Sequence, residues 1–573
     1  MGNVWHIGNT TVRNPYRLRE GLKAIVARGY EGRLGKEFEE EVAYVLDSEE
    51  VIALREGTKD VTSIARKWRS ALVKMGFIVP DLTRASASLG IAQKDLGAPF
   101  TLTEQGRRLL QAQGIRAINE VFLRSVAAIQ LPNPIERRYK FEAFSPLQFV
   151  LQVCLGLQTR GELPRLSPIE FATFIIAHDP SRGIEVVLGD ISEYRDRRQS
   201  VHNKKKYDSG VLDATAASSR VSADTLLDYQ DLVFRYLKAT GIFHAVGRGI
   251  GIVREQEGLA RSIVSSIHIE DNPALYLARL FKGATLPIDN VDGSLSSLHD
   301  LRLVAADYGV AVNESTTDLS SPASISLLRH EYEDRIFAAK EIEYASLQRE
   351  SIGEIYQYLK ILSTNGRSFE YNGEEFKIPT DQRPAYFEWI LWRLLLAYND
   401  LKNGPSDVRR FAVDQDFLPI HHAPGGGADL IAEYEDSVLV VEVTLTDNSR
   451  QEAAEGEPVR RHVAQVRERF AGTGKDVYGL FLARNIDTNT AHTFFGGVWY
   501  QPGDVKVDLE IAPVTVSQLA MLVAFQIRIG DLDSRHLIQF IRSCVNSRAL
   551  VDDAPTWKTA IQELSLQFSA SST

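Results

Sequence analysis

Residues 424–444 read PGGGADLIAEYEDSVLVVEVT. A glutamate, Glu442, stands inside the apolar run Val438, Leu439, Val440, Val441 and Val443, and an unpaired buried carboxylate costs several kcal/mol. DLIAEY and SVLVVEVT read as two antiparallel strands that turn at Glu435-Asp436. That turn pairs Tyr434 with Ser437 and Glu433 with Val438. Further out it sets Asp429 opposite Glu442, and a four-residue loop at the same place keeps this register. The two carboxylates then share one face, with Cβ atoms about 4.5–5.5 Å apart. Like charges so placed are destabilising unless something positive lies between them. A divalent cation is one answer: hard ions such as Mg²⁺ take oxygen ligands and keep positions open for phosphate and water. A proton shared by the pair, or salt bridges from an arginine, is another. The run Gly425-Gly426-Gly427 argues for a ligand, because it lets backbone approach one closely beside Asp429.

More acids and a histidine stand nearby. RPAYFEWILWRLLLAY, residues 383–398, reads as a helix with Pro384 near its first turn. Pro384, Glu388, Leu391 and Leu395 share one face, so Glu388 projects from an apolar surface; a lone carboxylate there is more often a paired core group than a ligand. After the hairpin comes EGEPVRRHVAQVRERF, with Pro458 read as the first helical position. Glu455 and Glu457 then lie at that helix N-terminus, where the dipole stabilises anions. His462 lies about one turn in, on the face of Pro458. The apolar strand VYGLFLA follows at 477–483. Helix, strand, hairpin, helix, strand, with one acid on the helix and two on the hairpin, is a nuclease-like order.

The whole chain has 573 residues, which suggests two to four domains. Its two cysteines, Cys154 and Cys544, support neither a disulfide framework nor a cysteine-rich zinc site, and point to a reducing cytoplasm. The first residues, MGNVWHIGNTTVRNPYRLREGLK, hold no apolar core segment of a signal peptide. No window reaches the 18 or so apolar residues of a membrane span, so no membrane partner is expected. Lys+Arg 65 against Asp+Glu 75 gives a net charge of -10. That balance does not suggest nucleic acid, and it leaves room for a local basic face.

The half before residue 285 reads as mainly helical with short hairpins. In DVTSIARKWRSALVKMGFIV, residues 60–79, Val61, Ile64, Ala65, Trp68, Leu72 and Met75 make an apolar stripe. Ser63, Arg66, Lys67, Ser70 and Lys74 make a second, basic face. The chain turns at Gly76 into a short strand, loops, and returns through Phe100 to Leu102. LLDYQDLVFRYLKATGIFHAVGRGIGIV, residues 226–253, repeats the grammar: a helix ending at Gly241, a strand, a tight turn at Gly247-Arg248-Gly249, and a second strand. A helix followed by a β-hairpin is the winged-helix pattern. It offers Arg66, Lys67 and Lys74 from a helix and Arg248 from a hairpin tip for DNA contact. On one segment alone, a solvated charged face or a protein-binding winged helix is the slightly better reading. The second segment, with the basic stretch RDRRQSVHNKKK at 195–206, favours double-stranded DNA. Residues 286–370 read as a polar, partly helical linker, and 371–573 as an α/β domain.

At these residues the chain resembles known enzymes. Ala428-Asp429, twelve residues, then Glu442-Val443-Thr444 is similar to the PD-(D/E)XK nuclease motif. The ordered set FEW, Gly-rich ADL, VEVT and EPVRRH resembles, more specifically, the AlwI-type family of type IIS restriction endonucleases, which includes nicking relatives. VRNPYRL, SPLQFVLQVCLGL and the helix-glycine-strand units extend the likeness along most of the chain. The resemblance implies a multidomain protein. Residues 1–285 would be a recognition region with two winged-helix modules, 286–370 a helical linker and 371–573 a PD-(D/E)XK endonuclease domain. It implies Asp429 and Glu442 as Mg²⁺ ligands, with Glu388, Glu455 and His462 as further active-site members. The sequence departs from the general motif at Ala428, where proline is usual, and at Thr444, where lysine is usual. The loss of that lysine leaves its charge-stabilising role to His462 or to the metal. A single active site cuts one strand at a time, so double-strand cleavage requires a second nuclease domain, by transient dimerisation or from a small subunit. The competing readings are a winged-helix DNA-binding regulator with an inactive nuclease domain, and a structure-selective repair nuclease.

Overall fold

The computed structural model describes residues 4–52, 54, 60–82, 90–315, 318–364, 366–379, 382–447 and 449–570. The chain divides into two compact units, Met1–Ile336 and Phe337–Thr573. Both cysteines are free and buried. Among the described residues no helix is long and apolar enough to cross a membrane.

The N-terminal unit is mainly helical. Its helix Thr62–Lys74 buries Ala65, Trp68 and Leu72, the stripe read from their spacing. The helix ends before Gly76, whose φ is +76°; a Cβ there would stand 2.3 Å from the carbonyl of Leu280. Only glycine meets both demands. The following strand and its return are reduced to one antiparallel bridge, Ile78 to Leu102. The second repeat is fuller. Helix Ala223–Lys238 leads into strands Phe243–Val246 and Gly249–Ile252, and the short strand Arg165–Leu166 adds itself to the latter. The result is a three-stranded antiparallel sheet with the Gly249–Ile252 strand in the middle.

The expected linker, 286–370, is not one body. Helices Val291–Asp307 and Pro322–Ser346 enclose a small core of their own around Leu298, Leu301, Ile325 and Leu328. Helix Ile352–Ser363 instead belongs to the core of the C-terminal unit through Ile355, Leu359 and Leu362. The physical reason is apolar content: each of these helices carries a stripe that must be covered.

The C-terminal unit is built on a four-stranded sheet in the spatial order Ile511–Thr515, Asp476–Ala483, Ser437–Thr444, Leu430–Glu433. The first three strands run parallel, joined through helices Arg450–Arg469 and Thr488–Gly496. The last two form the antiparallel hairpin, with Leu430 opposite Val441 and Glu433 opposite Val438. The amide of Tyr434 donates to the carbonyl of Ser437 at 2.8 Å. This register is the one read from the turn. Val438 to Val441 are all buried, as a parallel strand covered on both faces requires.

One boundary differs from expectation. The helix that carries Glu455 and His462 begins at Arg450 and runs through Pro458, which lies inside it. Proline at the first position is a preference, not a start signal, when the preceding turns are anchored. Here the fully buried Gln451 does so, its side-chain amide donating to the carbonyls of Thr446 and Asn485. The helix gives up one backbone hydrogen bond at the proline.

Candidate active site

Helix Arg383–Tyr398 buries nearly all its residues, including two charged ones. Their fates differ. Arg393 is paired: its guanidinium donates to Glu354 at 2.7 Å and to Gln348 at 2.6 Å. Glu388, 4 % exposed, has no ion-pair partner among the described residues; its Oε2 accepts the amide of Ala423 at 2.7 Å. It is not the paired core carboxylate of the bland reading.

On the hairpin, the register carries Asp429 opposite Glu442 one step beyond the Leu430–Val441 pair. Asp429 Oδ2 accepts the amide of Val443 at 2.9 Å. Glu442 Oε1 lies 2.7 Å from Nδ1 of His462, which the long helix brings over the strand. The other ring nitrogen, Nε2, is buried and has no hydrogen-bond partner among the described residues. Glu388, Asp429, Glu442 and His462 are thus brought together. Glu455 belongs to the same field, since its charge is felt by both Asp429 and Glu442.

The electrostatics show how crowded the acids are. Burial first, and then Asp429, raise the Glu388 carboxyl well above its usual range. Burial and Glu442 push Asp429 up to about 8. Burial and Glu455 push Glu442 up to about 9. Burial and the Arg461 charge lower His462, so its ring is neutral at neutral pH. Burial and mutual repulsion thus favour the protonated forms of Glu388, Asp429 and Glu442, as expected of like charges with too little positive charge between them.

Among the described residues no three His, Cys, Asp or Glu side chains are arranged to hold an ion between them. The opposed pair Asp429 and Glu442 does fit Mg²⁺ in its donor chemistry. That ion favours hard oxygens and is commonly held by one or two carboxylates, with water and phosphate completing its shell.

Two residues read as special, or not read at all, change the picture of the site. Thr444 sits at the position of the motif lysine, 7 % exposed, and its hydroxyl accepts the amide of Thr446 at 3.1 Å. It shapes the strand end. Arg410 was missed: its amide donates to the carbonyl of Asp429 at 3.2 Å, on the side of that strand away from Glu442. Its guanidinium lies against the third glycine of the run: a Cβ at Gly427 would stand 2.3 Å from Arg410 Nη1. Gly425 and Gly426 meet nothing within 4 Å. No local signal marks Arg410; only a third strand segment, unpredictable from its own sequence, puts it there.

In the N-terminal unit the residues expected to touch DNA separate. Lys67 and Arg248 are exposed, the latter at the hairpin tip. Arg66 is exposed, with loose contacts of 3.9 and 3.8 Å to Glu39 and Asp60. Lys74 differs: its ammonium sits 2.7 Å from Glu136 and donates to the carbonyl of Gly8 at 3.3 Å, with 14 % side-chain exposure. The helix face is continuous in sequence, but a neighbouring loop covers its C-terminal end. In the basic stretch 195–206, Arg195 pairs with Glu170 at 2.6 Å and Arg198 with Asp208 at 2.7 Å, leaving the exposed lysines 204–206. Lys74→Ala is accordingly expected to act on stability. Losing a charged, half-buried hydrogen bond costs roughly 1.5–3 kcal/mol. Thermal melting checks this; an unchanged Tm with weakened DNA binding would return Lys74 to the interface.

Comparison with known proteins gives one family and several solved structures, among them the two that follow. The model of the AlwI restriction endonuclease family matches residues 73–522. No curated protein matches the chain. The small subunit R.BspD6I2 of the heterodimeric restriction endonuclease R.BspD6I is similar at 22% sequence identity, over 38% of this chain and 98% of that one, with a TM-score of 0.28. The BpuJ1 endonuclease binding domain, solved with pyrene- and phenanthrene-modified DNA, is similar at 11% identity over 52% of this chain and 85% of that one, with a TM-score of 0.24.

Proposed function

The chain belongs to the AlwI restriction endonuclease family, and from that premise we propose that it is a Mg²⁺-dependent type IIS enzyme. It binds a short asymmetric sequence in double-stranded DNA and hydrolyses phosphodiester bonds a few bases outside it. The observation that carries this reading is the opposed pair of the half-buried Asp429 and the buried Glu442, beside Glu388 and His462, with no salt bridge to Lys or Arg among the described residues. A nuclease domain of the PD-(D/E)XK kind uses such a set.

Asp429 and Glu442 would hold Mg²⁺. When bound, the ion makes water a better nucleophile and stabilises charge on the scissile phosphate. The chain's own groups do the rest. The amides of Val443 and Ala423 orient Asp429 and Glu388. With Glu442 ionised, Nδ1–H of His462 donates to it, and Nε2 is left as an acceptor able to take a proton from water. Helix-and-hairpin units, read as winged helices, present Arg66, Lys67 and Arg248 to DNA, with affinity that weakens as salt rises. Second-strand cleavage draws on a second nuclease domain, from another copy or a small subunit.

Digesting one plasmid with and without Mg²⁺ tests the proposal. Discrete bands that need Mg²⁺, with fragment ends at a constant offset from one sequence, are expected. No change would point to a DNA-binding regulator, and cuts that follow DNA structure to a repair nuclease.

The raised carboxyls give a second test. A carboxyl whose pKa rises on folding contributes stability that is full below its unfolded value and lost as pH rises through the folded one. For Asp429 that window runs from 3.8 to about 8, and for Glu442 from 4.5 to about 9. The metal-free protein should therefore melt lower at pH 9 than at pH 6, and Mg²⁺ should raise Tm more at pH 9. A carboxyl that holds its proton even tenfold more tightly when folded contributes about 1.4 kcal/mol. In a unit of this size that is roughly 3–6 °C. A Tm indifferent to both pH and Mg²⁺ would reject the metal site.

A further inference from the structure

We propose that Arg410 is a catalytic residue whose guanidinium binds the non-bridging oxygens of the scissile phosphate; this rests on the nuclease reading above. Arg409 bridges Leu430 in antiparallel register, so Arg410 stands opposite Asp429 just as Glu442 does from the other side. Residues directly opposite in antiparallel pairs point to the same face. Arg410, Asp429 and Glu442 therefore form a row across one face of the sheet. Gly427, two residues before Asp429, lies on that face too, and the Arg410 side chain passes so close that a Cβ there would be 2.3 Å from Nη1.

Among the described residues no ion pair or side-chain hydrogen bond holds the guanidinium. Among the described residues its Nη1 is buried without a hydrogen-bond acceptor. A buried N–H left unpaired is costly, and in a native fold it calls for an explanation. Arg393, buried on its helix, shows the ordinary solution, a carboxylate partner at 2.7 Å. The charge of Arg410 is nonetheless felt at Glu388, Glu442 and His462, so it lies within the site. A phosphate oxygen above the row would satisfy Nη1 and bring negative charge to a cation whose backbone pairs with Asp429. Thr444 cannot take this part, since its side chain carries no charge and faces the Thr446 amide.

In the reaction, the oxygen of water forms a bond to phosphorus and one phosphorus–oxygen ester bond breaks. The proton of water goes to a base, and the departing oxygen takes one up, leaving a phosphate monoester and an alcohol. Arg410 keeps its protons throughout. It binds the charge that grows on the non-bridging oxygens, for which a planar guanidinium with parallel N–H groups is suited.

The test is single-turnover cleavage with enzyme in excess, once the cut position has been mapped on the unaltered protein. Arg410→Ala should slow the chemical step roughly 10²–10³-fold, the usual effect of removing one donor to a developing oxyanion. Arg410→Lys should recover a good part of that loss. A binding cycle with Ca²⁺ in place of Mg²⁺ gives a readout apart from activity. A target duplex with a neutral methylphosphonate at the cut position should bind the unaltered protein more weakly than the ordinary duplex, while Arg410→Ala binds both alike. Cleavage by Arg410→Ala at the unaltered rate, an equal methylphosphonate penalty in both proteins, or a loss that Arg410→Lys does not relieve would each overturn the assignment. If the unaltered protein fails to cut with Mg²⁺, the nuclease reading falls, and this inference with it; if it cuts and Arg410→Ala cuts as fast, only this inference falls.

Discussion

Asp429→Asn is expected to stop cleavage while leaving binding to the target site intact. The substitution keeps the shape of the side chain and its acceptor for the Val443 amide, so the hairpin should stay in register. It removes one of two charges able to hold Mg²⁺. A metal's contribution to the transition state is several kcal/mol, so the single-turnover rate should fall at least about 10³-fold. Tm of the metal-free protein should hold or rise, since a crowded carboxyl has been neutralised. Mg²⁺-dependent cutting at the ordinary rate by this variant would sink the hairpin assignment.

The second expectation concerns the division of labour. A fragment ending at Ile336, the limit of the first compact unit, should bind the target sequence and cut nothing. It retains both helix-and-hairpin units and its own cores. Ending it near 285 instead would remove the helices that enclose the small core around Leu298 and Ile325. Its affinity should fall steeply with salt, with a slope of about -0.9 for each phosphate contacted. The complementary fragment from Phe337 should show no site-specific binding. Band shifts on the target and on single-base variants measure both, after cooperative melting has confirmed that each fragment folds. Site-specific binding by the C-terminal fragment would reverse the assignment of the halves.

Much of the candidate site was legible because it is local. A tight turn forces the register of a hairpin, so Asp429 opposite Glu442 follows from counting. The apolar stripe around Trp68 and Leu72 follows from helical period in the same way. Helix limits were less secure. Pro458 marks a common starting position, yet the buried Gln451 side chain, bonded to Thr446 and Asn485, lets the helix begin at Arg450. That anchor joins residues far apart in the chain, and no local rule contains it.

Lys74 and Arg410 mark the boundary between the two kinds of information. By sequence, Lys74 continues a basic helix face, and Arg410 is one arginine in an irregular stretch. Folding sets Glu136 against the first and Asp429 beside the second. The sequence by itself determined the hairpin, its opposed acids, the helix that carries Glu388 and the helix-glycine-strand unit ending at Ile252, because each rests on periodicity or turn geometry within a few dozen residues. Only the tertiary structure decided which cations are neutralised and which remain unpaired in the site. Electrostatic pairing depends on distances between segments far apart in sequence, and those distances exist only once the cores have formed.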